Sequence, residues 1–174
     1  MKLLFIASVA LVLASSTLPA ASPYVAEQDR DIKALSPQDI EAYLAGQGMG
    51  FAKTAELNGY AGPKHVLELA SELSLTEEQR TRTESLFASM QSVARSLGRD
   101  LVDQERTLDQ LFAGQTVTQE SLRDSLDRIA VLQSRLRATH LQAHLEQAAI
   151  LTPEQNALYS RLRGYEHDPA HHAH

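Results

Sequence analysis

Two apolar stripes separated by one short break constrain this chain more than any other feature. Leu86, Met90, Val93, Leu97, Leu101, Leu108 and Leu111 recur at spacings of 4, 3, 4, 4, 7 and 3, the repeat of one face of a helix. Gly114-Gln115 ends that stripe, Thr118 is placed as an N-cap, and Leu122, Leu126, Ile129, Leu132 and Leu136 begin a second stripe running toward Ile150. Segments 77–113 and 118–150 therefore predict two helices, each about 50 Å long at 1.5 Å per residue. So short a connection makes them antiparallel. Two helices bury only one stripe each, so the hairpin predicts an all-α fold completed by shorter flanking helices, a second subunit, or both. A dimer is the expectation.

The flanks carry weaker signals. Ser22 to Lys33 has no sustained period and reads as a mobile leader. Ser36-Pro37-Gln38-Asp39 is a helix start, with Ser as N-cap, Pro at the first helical position and an acid three residues after the cap. A helix from there toward Asn58 would meet Gly46, Gly48 and Gly50, each costing about 1 kcal/mol relative to Ala, so it is expected to break or kink. Asn58 to Pro63 reads as a turn, and His65 to Leu73 as a short amphipathic helix through Val66, Leu67, Leu69 and Ala70.

Composition removes several classes of function. The 174 residues carry 16 Lys plus Arg against 22 Asp plus Glu, a net charge of −6. Such a chain has no basic surface for a run of phosphates, which excludes nucleic acid as a partner. The absence of Cys removes disulfides, thiolate metal sites and cysteine catalysis. No Gly-rich nucleophile turn, His-Glu-x-x-His motif or phosphate loop is present, so no catalytic residue is assigned and the chain reads as a non-enzyme.

Met1-Lys2 precedes an apolar run from Leu3 to Ala14 and mostly small residues through Ser22. That is the pattern of a cleaved secretory signal, and the run is shorter than the roughly 20 residues a membrane span needs. The chain accordingly divides into a signal peptide over 1–22, an N-terminal extension with a broken helix over 23–58, a helical-hairpin domain over 59–165 and a His-rich tail over 166–174.

Leu75-Thr76-Glu77-Glu78-Gln79 and Leu151-Thr152-Pro153-Glu154-Gln155 are near copies. Each reads as a capping box, in which the Thr hydroxyl accepts from the backbone three residues on and the Gln side chain reaches back to the cap. Leu35 to Asp39 is a looser third version. Two LTxxQ copies flanking a long hairpin, at Leu75 and Leu151, resemble the Spy/CpxP superfamily of small bacterial periplasmic proteins, which includes ZraP-like and CnrX-like heavy-metal proteins. The resemblance covers roughly Gly59 to Tyr165. It implies a hooked, dimeric all-α cradle in the periplasm, serving as an ATP-independent chaperone for unfolded or misfolded envelope proteins. The alternative it implies is a heavy-metal sensor or a zinc- or nickel-binding buffer. A membrane-bound sensor or regulator is a further partner of that kind.

Seven histidines bear on the choice between those roles. His167, His171, His172 and His174 lie in the last eight residues, and such tracts bind Zn²⁺, Ni²⁺ or Cu²⁺. ZraP-like proteins resemble this chain in carrying His-rich ends. His140 and His144 are spaced i, i+4, so both leave one face of the second long helix, as two ligands of one ion require. His140 continues the row of Leu122, Leu126, Ile129 and Leu136, which places the pair beside the buried stripe. CnrX-like sensors also bind metal through helix-borne His, although no Met stands near either residue in the sequence. His65 reaches the pair only if its short helix folds back on the hairpin. No metal is required by the fold.

The leader generates the first prediction. Intact-mass analysis of the exported protein is expected to show a chain cut within the small-residue stretch, at Ala14-Ser15-Ser16 or at Ala20-Ala21-Ser22, and a chain still starting at Met1 or Lys2 would refute cleavage.

Overall fold

A computed structural model describes residues 22–165, and every regular element among them is helical. A single 3-10 turn at Val25–Glu27 precedes six helices: α1 (Pro37–Leu44), α2 (Lys53–Glu56), α3 (Pro63–Glu68), α4 (Glu77–Ala113), α5 (Gln119–Ile150) and α6 (Pro153–Leu162). The glycine run breaks the first predicted helix into α1 and α2. Gly46 and Gly50 sit at φ 66 and 80, in the left-handed region that glycine enters without steric cost. The expected His65–Leu73 helix instead starts at Pro63 and stops at Glu68. Its C-terminal half is turn, ending at Ser74 with φ 51.

α4 and α5 pack along their lengths. Gln147 Nε2 donates to Thr83 Oγ1 at 3.2 Å, which ties the end of α5 to the start of α4 and sets Met90 level with His140. The core between them holds Ala94, Leu97, Leu101, Ile129 and Leu136. Two stripe residues depart from expectation: Val93 is 46% exposed and Leu126 48% exposed. Ala94, Gly98, Val102 and Ser125 are buried in their neighbourhood. The reason is that the shorter elements pack against one flank of α4, so its buried face rotates toward that flank and leaves Val93 outside.

The N-terminal extension supplies that flank. Ile32 is fully buried, and the Lys33 backbone N–H donates to Asp109 Oδ1 at 3.0 Å, so this end is held against α4, contrary to the reading of 22–33 as a mobile leader. α1 crosses α4 at Gly98, where any Cβ would overlap the Tyr43 carbonyl oxygen. Tyr43 and Phe51 then reach the hairpin core.

The two LTxxQ segments meet at the other end of the hairpin. Thr76 Oγ1 accepts from Gln79 N and Thr152 Oγ1 from Gln155 N, so both capping boxes form. Beyond its own cap, each glutamine bonds the other: Gln79 Nε2 donates to Gln155 Oε1 at 2.7 Å, and Gln155 Nε2 donates to Gln79 Oε1 at 3.0 Å. The second amide hydrogens reach Ile150 O and Leu73 O, and each Oε1 also accepts from its own cap N–H. Every donor and acceptor of both amides is used. Leu151 is buried and Leu75 packs beside it in a cluster with Ala61, Val66, Leu73 and Tyr159. The Ser36 box also forms, but Asp39 can only accept, so that third copy stands alone.

Losing a cap acceptor through Thr76→Ala or Thr152→Ala is expected to cost about 1 kcal/mol. Gln79→Ala strands the partner amide as well and is expected to cost about 2–3 kcal/mol. Urea melts of the single variants and of the Gln79→Ala/Gln155→Ala double variant check this, with the double costing clearly less than the two singles together. Additive losses would mean the amides act only as separate caps.

Candidate functional site

A cleft of about 540 Å³ opens where the N-terminal elements meet the hairpin. Met49, His65, Met90, Arg95, His140 and His144 all line it. The i, i+4 pair is thus brought to one cavity as the spacing predicted, and α3 does fold back to bring His65 there. No Asp or Glu lines the cleft, and among the described residues no three His, Cys, Asp or Glu side chains converge as a metal cluster.

His140 is 5% exposed, and its ring stacks on Phe51 with centroids 5.9 Å apart and planes at 17°. Its Nδ1 faces Gly48, at 4.0 Å from where a Cβ would stand. Its Nε2 is buried with no hydrogen-bond partner, an arrangement that costs stability unless something else meets that atom. Burial, and secondarily the neighbouring His144, holds the His140 imidazole below the ordinary histidine range, so it is neutral at pH 7.

His144 is fixed differently. Its Nδ1 lies 2.8 Å from the Tyr60 carbonyl, which can only accept, so Nδ1 carries a proton and Nε2 is the ring nitrogen without that partner. Gly62 permits this position, because a Cβ there would stand 2.8 Å from His144 Cε1. Glu56 Oε2 lies 3.7 Å from the same Nδ1. The other Glu56 oxygen accepts from Tyr159 OH at 2.7 Å, Tyr165 OH at 3.0 Å and Arg163 Nε at 3.2 Å. Burial and Glu56 together push the Tyr159 hydroxyl well above its usual range, so it stays protonated and donates. In His65, Nδ1 meets Glu68 Oε2 at 2.6 Å, which again leaves Nε2 available.

The sequence reading named the histidines and missed Met49, Met90, Glu56, Gly48 and Gly62. Met90 was legible only through the hairpin register, and the glycines only through the close approaches they allow. His167, His171, His172 and His174 lie outside the described residues.

With the paired LTxxQ segments and this geometry in place, comparison with protein families is decisive: the LTXXQ motif family model matches residues 62–163. The chain belongs to the LTXXQ motif family, the family of Spy/CpxP-like periplasmic proteins. Comparisons with curated proteins and with solved structures return no match. Members of the LTXXQ family are generally periplasmic, and no helix among the described residues is long and apolar enough to cross a membrane. The matched segment runs from Gly62 to Arg163, so it contains the hairpin, both motifs and three of the cleft histidines, while α1, α2 and Met49 precede it.

The neutral, dry His140 generates a pH prediction. An unfolded histidine titrates near about 6.5, so as pH falls below that value the unfolded chain takes up a proton that the native site refuses, and stability drops. Urea midpoints at pH 7.5, 6.5 and 5.5 for the parent and His140→Leu are expected to show the parent losing ground to the variant as pH falls. A difference independent of pH would mean that His140 is charged or solvated in the native state.

Proposed function

We propose that this LTXXQ protein is a non-enzymatic, ATP-independent chaperone of the periplasm, exported by a cleaved signal and working as a homodimer. Its partners are unfolded or misfolded envelope proteins. The observation that carries this reading is the face of the hairpin that no shorter element covers. Two depressions there are lined by α4 and α5 residues alone, one by Arg82, Leu86, Glu146 and Ile150, the other by Asp103, Arg128, Val131 and Leu132. Val93 is half exposed and Val131 is 56% exposed. Apolar contacts set among charges of both signs hold an unfolded segment through dispersion and desolvation while the charges keep the face soluble. Such binding needs no nucleotide, as a compartment without ATP requires.

Metal binding is the second reading, favoured by the unpartnered His140 Nε2 beside a His144 whose Nδ1 is held by the Tyr60 carbonyl, leaving Nε2 as its candidate ligand atom. Orientation of a ligating His by a carbonyl or carboxylate on its other nitrogen is the common support for such ligands. Two imidazoles fit Zn²⁺, Ni²⁺ or Cu²⁺, and the set needs completion by another donor; in the sequence the tail histidines begin at His167, two residues beyond Tyr165. No cofactor is required for the chaperone role, and a membrane-bound regulator is the partner a sensor would need.

Suppression of client aggregation by the mature protein, with and without Zn²⁺, tests the first reading. Leu86→Asp with Val93→Asp is expected to weaken suppression severalfold while moving the urea midpoint little, because both side chains are partly solvated. Unchanged suppression would remove this face from the function. Calorimetry with Zn²⁺ on the mature chain, on the chain ending at Tyr165, and on that chain with His140→Ala and His144→Ala separates the metal sites. Binding that survives truncation and vanishes in the double variant assigns it to the helical pair.

A further inference from the structure

The extension before residue 62 lies outside the family match, yet together with α3 it packs along one flank of the matched hairpin. Its grip there is uneven. Three apolar anchors hold it, Ile32, Tyr43 and Phe51, but α1 itself contributes no fully buried side chain. The polar ties to α4 are few: Asp31 to Arg106 at 3.6 Å, Lys33 Nζ to Asp109 at 3.5 Å with the Lys33 N–H donating to the same carboxylate at 3.0 Å, and Arg95 Nε donating to Ala45 O at 3.2 Å. Of these, the exposed Asp31–Arg106 pair contributes little.

The fit beneath the segment is close at Gly98 and loose beside it. The 540 Å³ cleft separates part of it from the hairpin, and the stacked Phe51 covers a histidine whose Nε2 has no partner. At its C-terminal end the backbone turns through left-handed φ at Gly46, Met49 and Gly50, the non-glycine Met49 being strained there. Immediately afterwards α2 is fastened to α6 through Glu56. The segment thus has a firm root, a glycine-rich joint and a lightly held span.

We propose that residues 32–51 are a releasable strap covering a second client-binding groove on α4. The groove floor is Met90, Ala94, Gly98, Leu101 and Val102, with a small-residue notch at Ala94 and Gly98 deep enough to admit the backbone of α1. Its occupant when the strap lifts is an apolar segment of an unfolded chain, which takes the notch as Tyr43 does now. Lifting also uncovers Ile32, Tyr43 and Phe51 on the strap, enlarging the apolar surface offered. This rests on the chaperone reading and adds an autoinhibitory contact to it: the strap lowers apparent client affinity by the fraction of time it is docked.

The chain has no Cys, so an engineered pair forms one unambiguous crosslink. Lys33 and Asp109 face each other at the strap's far end, with Lys33 N 3.0 Å from Asp109 Oδ1, so Lys33→Cys/Asp109→Cys can be joined by a disulfide, directly or through a reducible bis-thiosulfonate spacer. The probe is fluorescent, reduced and carboxymethylated α-lactalbumin, a permanently unfolded chain indifferent to reductant, with binding read by anisotropy. The oxidised variant is expected to bind about tenfold more weakly than the same protein after reduction. Gly98→Ala, which cannot seat the Tyr43 carbonyl, is expected to speed amide exchange over 37–44 and tighten binding about three- to tenfold over the parent. Equal affinity of the oxidised and reduced forms overturns the strap, as does a Gly98→Ala variant with fast exchange over 37–44 and parental affinity. Failure of every form to bind the probe overturns the chaperone reading and the strap together, whereas binding indifferent to the lock removes the strap alone.

Discussion

The reciprocal amide pair of Gln79 and Gln155 is the constraint on which the rest of the molecule depends. A long pair of helices with a free root could splay, and this bond closes the root. Each amide spends one hydrogen on its twin and the other on a carbonyl, Ile150 O or Leu73 O, that would otherwise end its segment unsatisfied. Only glutamine does this with both donors and acceptors, since a glutamate offers no hydrogen and two glutamates would repel. The residue order of the motif follows: Leu enters the shared cluster, Thr caps the helix, and Gln three residues on both completes the cap and crosses to the other copy. Because Leu73 ends the α3 segment and Ile150 ends α5, the same bond fixes where α3 and α6 stand, and with them one wall of the cleft.

Close approaches set the other wall. At Gly98 the α1 backbone reaches the α4 surface directly, and at Gly62 the chain passes against the His144 ring. The first sets how close α1 sits to α4 and the second how close the chain before α3 sits to α5, and the cleft lies between these contacts. Phe51 stacks on His140 at the same place, and burial there holds the imidazole below the ordinary histidine range.

Much of this was legible in the sequence. The break between the long helices, their extents and their caps at Thr76, Thr118 and Thr152 follow from local chemistry, and α4 and α5 run Glu77–Ala113 and Gln119–Ile150 as the stripes require. Periodicity was less informative about which stripe residues are covered, because Val93 and Leu126 share a period with buried neighbours and only the position of the flanking layer decides. The cross-pairing of the two glutamines was invisible for a related reason, since a capping box accounts for each copy by itself. His140 and His144 could be named from their spacing, but Met90, Glu56 and the glycines joined the site through tertiary register alone.

The exposed stripe residues sharpen the functional argument. Val93 and Val131 stand about half in water, so each keeps roughly 1 kcal/mol of burial that only a covering surface can recover. The root needs none of that energy, being closed by satisfied amides and a dense cluster around Tyr159. Rigidity and stickiness are therefore separated along the molecule, with the LTxxQ end holding the shape and the middle of the hairpin keeping unspent apolar surface. In the chaperone role we propose, that division lets unfolded chains be held without being enclosed, because release then requires only that the client bury its own apolar residues more completely than a half-open helix face can.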